Sequence, residues 1–275
     1  MRLRNIALPP ATAALTSTSA VSAHNIVQSL GLSDGTLATA PDATQDDDQP
    51  GPHVALTGLA RRYASTPLAQ PDTALVRRQS NSKLAAQLRQ LLASMRSSRP
   101  SHAAAQSIVM TTVGARDCAS LVASSLAVTC AASGFKVLLV DANLARPSLH
   151  SLFGISNRAG LSDLLAGSNP PTALAQPTSI PNLVVIPAGT PIANYASLLT
   201  RQQIVHRLDA IAGGFDYIII DATALPPVLV VRVAQNADQV TIAVRRHTSS
   251  MRELERQVAM LRDEGIDNAS VLIIE

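Results

Sequence analysis

Aromatic residues are scarce in this 275-residue chain: they make up 2%, and there is no tryptophan. A core must therefore be assembled from Ala, Val, Leu and Ile, which the 47% hydrophobic content supplies. The two cysteines, Cys118 and Cys130, lack CxxC or Cys/His spacing, which argues against both a disulfide framework and a zinc site. No run of 18 or more uncharged apolar residues is present, so no membrane span is predicted. Charge is also modest. A formal net charge of +3 with no basic run interleaved with aromatics excludes nucleic acid as an expected partner. These properties fit a reduced, cytoplasmic setting.

What is present divides into a biased segment and a patterned one. Residues 1–80 are rich in Ala, Thr, Pro, Gln and Asp, with Asp46-Asp47-Asp48 next to Gln49-Pro50-Gly51-Pro52. Such composition buries too little apolar surface to offset chain entropy, and this extension is expected to be disordered. Arg2 and Arg4 ahead of a stretch ending Ala20-Val21-Ser22-Ala23 imitate a secretory signal, but Pro9-Pro10 interrupts its apolar centre. Residues 81–104 read as a helix and linker. Asn81-Ser82 can cap a helix from Lys83 to about Ser97, with Leu84, Leu88, Leu91, Leu92 and Met95 on one face.

From residue 105 to 275 the pattern is regular. Apolar strands are predicted at 107–112, 136–141, 182–187, 215–221, 238–244 and 270–274. They alternate with helical segments near 118–133, 160–166, 195–212, 227–236 and 248–265. Strands this apolar on both faces belong in a mostly parallel sheet covered by helices. The fold class is thus α/β, doubly wound, with any ligand expected at the carboxyl ends of the strands.

The first strand runs into Val113-Gly114-Ala115-Arg116-Asp117-Cys118-Ala119-Ser120, placed like the loop of a P-loop NTPase. Such a loop ends in Gly-Lys-Ser/Thr: glycine for positive φ, lysine for the β- and γ-phosphates, and a hydroxyl for Mg²⁺. Cys118 stands at the glycine position, Ala119 at the lysine position, and only Ser120 keeps its type. Gly114, Arg116, Asp117, Cys118, Ala119 and Ser120 are candidate residues of a vestigial anion site, with Arg116 or Arg146 as substitute cations. Asp141 and Asp221, at strand ends, are candidate magnesium ligands together with Ser120. Alternatively, the two carboxylates only cap the turns that follow them.

The block Lys136-Val137-Leu138-Leu139-Val140-Asp141-Ala142-Asn143-Leu144-Ala145-Arg146-Pro147-Ser148-Leu149-His150 resembles the second Walker motif of bacterial tyrosine autokinases. Those are the P-loop proteins of the deviant Walker class that are partnered with capsule and exopolysaccharide co-polymerases. Leu152-Phe153-Gly154, Gly160 to Gly167, Asn182 to Gly189 and Phe215 to Asp221 extend the likeness in the same order. The family's Asp-x-Asp-x-Arg here reads Asp141-x-Asn143-x-Ala145, and its tyrosine cluster after the last strand has no counterpart among Tyr63, Tyr195 and Tyr217. The resemblance implies a degenerate, non-catalytic autokinase-like protein of exopolysaccharide or capsule biosynthesis or export. Its implied partner is a membrane co-polymerase or chain-length determinant protein, or a homologous active kinase. It would be cytoplasmic, reaching the inner membrane only through that partner. No catalytic residue is assigned and no bound cofactor is expected; ATP and magnesium enter only if the loop still works. Two other readings remain: an active ATP-dependent tyrosine autokinase with an unconventional loop, and a positioning ATPase or cellulose-synthesis accessory.

Overall fold

The computed structural model describes residues 83–97, 105–113, 119–201, 204–245 and 249–274. The expected extension at 1–80 and loop residues Gly114, Arg116, Asp117 and Cys118 lie outside them.

Helix α1 (Lys83–Ser97) forms where the leucine spacing predicts it, and Leu88, Leu91, Leu92 and Met95 are buried. Strand β1 (Gln106–Val113) follows, then α2 (Ala119–Ala132), β2 (Val137–Asp141) and two short helices, α3 (Leu149–Phe153) and α4 (Leu161–Ala166). Next come α5 (Pro171–Leu174), β3 (Gln176–Pro177), β4 (Leu183–Ile186), α6 (Tyr195–Arg201) and α7 (Ile204–Ala212). The chain continues through β5 (Tyr217–Asp221), α8 (Pro227–Ala234), β6 (Gln239–Arg245), α9 (Met251–Asp263) and β7 (Ala269–Ile274).

The strands form one sheet in the order β3-β4-β2-β5-β1-β6-β7, parallel except for β3, which runs antiparallel to β4. The predicted α/β doubly wound class is therefore correct. Two local readings need revision. Helices α3 and α5 were not predicted, being shorter than the window in which a 3.6-residue period shows. The same brevity hid β3, whose Pro177 argues against a ladder strand and is tolerated here at the sheet edge. The segment predicted as a helix across 195–212 is helical at all its described residues, as α6 and α7, with residues 202–203 outside them.

Alternation along the strands feeds two cores. Val109, Leu138, Val140, Ile218, Ile220, Val240, Ile242 and Val244 face helices α4 to α9. Ile108, Met110, Val137, Leu139, Tyr217, Ile219 and Leu272 face α1, α2 and α3. Helix α1 packs on α2, and Arg96 lies 5.5 Å over the Phe135 ring, which meets Tyr217 edge-on at 5.3 Å. That stack fixes the end of α1 to the amino edge of the sheet. At the same edge Asp238 Oδ2 accepts both the N–H and the hydroxyl of Ser107, each at 2.7 Å, which ties β6 to β1. Among the described residues no helix is long and apolar enough to cross a membrane.

Candidate carboxyl-edge site

The strand order brings the ends of β1, β2 and β5 together, with α2 starting just beyond them. Asp141 and Asp221 close neighbouring strands and are direct register partners. Both are fully buried. Asp141 spends both oxygens on backbone: Oδ1 accepts the Asn143 N–H at 3.0 Å, and Oδ2 accepts Ser148 and Leu149 N–H groups, each at 3.2 Å. The latter two open α3, so this carboxylate satisfies otherwise orphaned helix donors. Asp221 Oδ1 accepts the Thr223 N–H at 3.1 Å and, in a short bond, the Thr223 hydroxyl. Its Oδ2 is buried without a hydrogen bond of ordinary geometry, although the Ser120 hydroxyl and Asn143 amide stand close enough to favour its ionised form.

Burial pushes the Asp141 carboxyl above the ordinary carboxylate range, and the neighbouring Asp221 charge adds to the rise. The N–H groups of Leu149, Asn143 and Ser148 oppose it. Burial likewise raises Asp221, against the Ser120 and Thr223 hydroxyls and the Asn143 side chain. Two enclosed carboxylates on adjoining strands resist ionising together.

Asn143, buried at 1% exposure, joins the parts. Its Nδ2 donates to Ser120 Oγ at 3.3 Å, and its Oδ1 accepts the Ala224 N–H at 2.9 Å. The Ala224 donor fixes which side of the amide is oxygen. Thr112, at the end of β1, donates through Oγ1 to Thr223 O at 2.9 Å.

Of the sequence candidates, the structure gathers Ser120, Asp141 and Asp221. Ala119 is the first residue of α2. Arg146 is exposed, on a turn closed by its N–H to Asn143 O at 3.0 Å. The only two lysines of the sequence lie elsewhere, Lys83 opening α1 and Lys136 preceding β2. Sequence reasoning missed Asn143 and Thr223 as site residues. The signal for Thr223 was its place two residues after a strand-end aspartate, where a side-chain turn forms. Asn143 was marked only as the residue at the motif's second acid, not as a site residue. Among the described residues no group of three or more His, Cys, Asp or Glu is arranged to hold a metal ion.

Comparison with known proteins identifies relatives in sequence and fold. The profile of a family described as AAA domain matches residues 119–265. The tyrosine-protein kinase ptk of Acinetobacter johnsonii is 32% identical over 151 residues, covering 54% of this chain and 20% of that protein. The chain spans about a fifth of the length of the first curated relatives it matches. The kinase domain of Escherichia coli tyrosine kinase ETK superposes with a TM-score of 0.62 at 25% identity, covering 69% of this chain and 74% of that one. The chimerical protein CapA2B2 shares the fold, with a TM-score of 0.63 at 22% identity over 80% of this chain and 98% of that one.

Proposed function

The chain belongs to the AAA domain family, and from that premise we propose that it is a non-catalytic, autokinase-like protein of exopolysaccharide or capsule biosynthesis or export. It acts by binding, with a membrane co-polymerase or an active homologous kinase as the partner. Similarity to tyrosine-protein kinases such as ptk supports the setting. The absence of catalysis is our reading of the carboxyl edge.

One observation carries it: apart from Asp221 Oδ2, the described groups that would hold a magnesium triphosphate are already engaged or of the wrong type. Both oxygens of Asp141 are taken by backbone N–H groups, and a neutral Asn143 stands between Asp141 and Ser120. Where a P-loop lysine would meet the β- and γ-phosphates, helix α2 begins with Ala119. A magnesium ion needs several hard oxygen donors, and phosphoryl transfer needs positive charge at the γ-phosphate. The described residues do not fit that group.

Calorimetric titration of the full chain with Mg-ATP tests the reading, alongside a radiolabel assay for autophosphorylation. The expected result is no binding heat and no label. Micromolar binding abolished by Arg116→Ala would establish an active nucleotide site and overturn it.

A further inference from the structure

The carboxyl edge of a parallel sheet is a difficult place to close. Strand ends present carbonyls, helix α2 presents N–H groups, and here two buried carboxylates meet side by side. Strands β2 and β5 are paired along the sheet, and α2 has still to be fastened to their ends. A divalent cation would fasten it by drawing lone pairs from several oxygens at once. In this chain backbone N–H groups take both Asp141 oxygens and Thr223 takes Asp221 Oδ1, which leaves Asp221 Oδ2 as the one carboxylate oxygen of the pair without a bond of ordinary geometry.

We infer that Asn143 is a positioning residue that closes this edge without a cation, binding Asp141, Ser120 and Ala224 through one backbone and two side-chain contacts. This deepens the non-catalytic reading above and rests on it. Each contact reaches a different element. The backbone N–H meets Asp141 Oδ1 at the end of β2, Nδ2 meets Ser120 Oγ in the first turn of α2, and Oδ1 takes the Ala224 N–H beyond β5. An amide suits the task because it offers a donor and an acceptor on opposite sides of one plane. A carboxylate at 143 could keep the Ala224 bond. It would turn a second acceptor towards Ser120 and place a third acid beside Asp141 and Asp221. Three enclosed acids must either take up protons or recruit a cation, and with the amide the third charge never arises.

The test uses the full chain, its Asn143→Asp variant and magnesium chloride alone as the probe. Thermal unfolding is followed in EDTA and in excess Mg²⁺, with potassium chloride matching ionic strength. The wild-type midpoint should be the same in both. Asn143→Asp should melt lower in EDTA and regain stability with Mg²⁺ but not with potassium, by on the order of 3–6 °C at magnesium about tenfold above its Kd. A mutation that merely loosens packing gains nothing from Mg²⁺. Recovery of folding only when Mg²⁺ is present also supports the inference. Two results overturn it: a wild-type midpoint that climbs with Mg²⁺, or an Asn143→Asp protein as stable as wild type in EDTA. Even if the variant yields no folded protein, the wild-type titration can still overturn the inference. Magnesium stabilising the wild type without ATP binding would sink this inference alone, whereas Mg-ATP binding with no response to Mg²⁺ would sink the non-catalytic reading alone.

Discussion

Replacing Asp221 with Asn should make the protein more stable at neutral pH. Asp221 Oδ1 accepts two bonds from Thr223, and an amide oxygen in the same place keeps both. Oδ2 makes no bond of ordinary geometry, so an amide nitrogen there gives up only the support that the Ser120 hydroxyl and Asn143 amide lend the ionised carboxylate. The substitution does remove a buried negative charge facing Asp141 across neighbouring strands. Exchanging charged groups in an interior for neutral ones of similar shape is commonly worth about 1–4 kcal/mol, and about 2 kcal/mol is expected here. For a protein of this size that raises the midpoint by roughly 4–8 °C. The sign with pH follows from the raised carboxyl pKa values. Below the ordinary carboxylate range both folded and unfolded chains are protonated and the pair costs nothing. As pH rises above that range the unfolded chain gives up its protons first, so wild-type stability declines until the folded pair also titrates, then levels off. Asp221→Asn should therefore outmelt wild type at pH 8, with the gap narrowing towards pH 4.5. Differential scanning calorimetry across that interval measures it. A variant less stable than wild type at pH 8, or a gap that does not change with pH, would refute the reasoning.

The companion substitution Asp141→Asn should have the opposite sign. Asp141 Oδ2 accepts two N–H groups, so an amide nitrogen on that side meets donors, and flipping it only moves the conflict to Asn143 N–H. A loss of about 1–3 kcal/mol in denaturant unfolding is expected. Gly160→Ala should cost on the order of 3 kcal/mol or more, because its Cβ would overlap Pro187 O and Gly189 N, backbone atoms that a turn has no room to move. Urea titration reads that directly. Cys130 is buried and its thiol is pushed up to about 12 by desolvation. In a Cys118→Ser background, a colorimetric thiol reagent at pH 8 should find no reactive sulfur until denaturant is added.

The sheet was legible because its strands are apolar on both faces. Ile218, Ile219 and Ile220 in succession have no amphipathic alternative, and the parallel arrangement follows from covering both sides. Helix α1 was legible for the complementary reason, a single leucine stripe on an otherwise polar segment. Helices of four or five residues carry too few positions for a period, and β3 has two residues without an apolar run, which is why β3, α3 and α5 were not foreseen. The strand-end acids could be placed from sequence because a carboxylate after an apolar run marks a boundary. Their wiring could not. Asn143 reads as a lost acid until its three partners, drawn from β2, α2 and the turn after β5, are seen to converge on it. Such convergence depends on the crossover order, and local composition carries no trace of it.

The order of strands has a consequence for synthesis. Strand β1 lies between β5 and β6, so its ladder partners leave the ribosome only after residue 217. Until then a ribbon containing Ile108, Val109 and Met110 has no native neighbour on either side. Emerging chains must be shielded until β5 has been made, and fragments ending before β5 should be substrates for holding chaperones rather than folded intermediates.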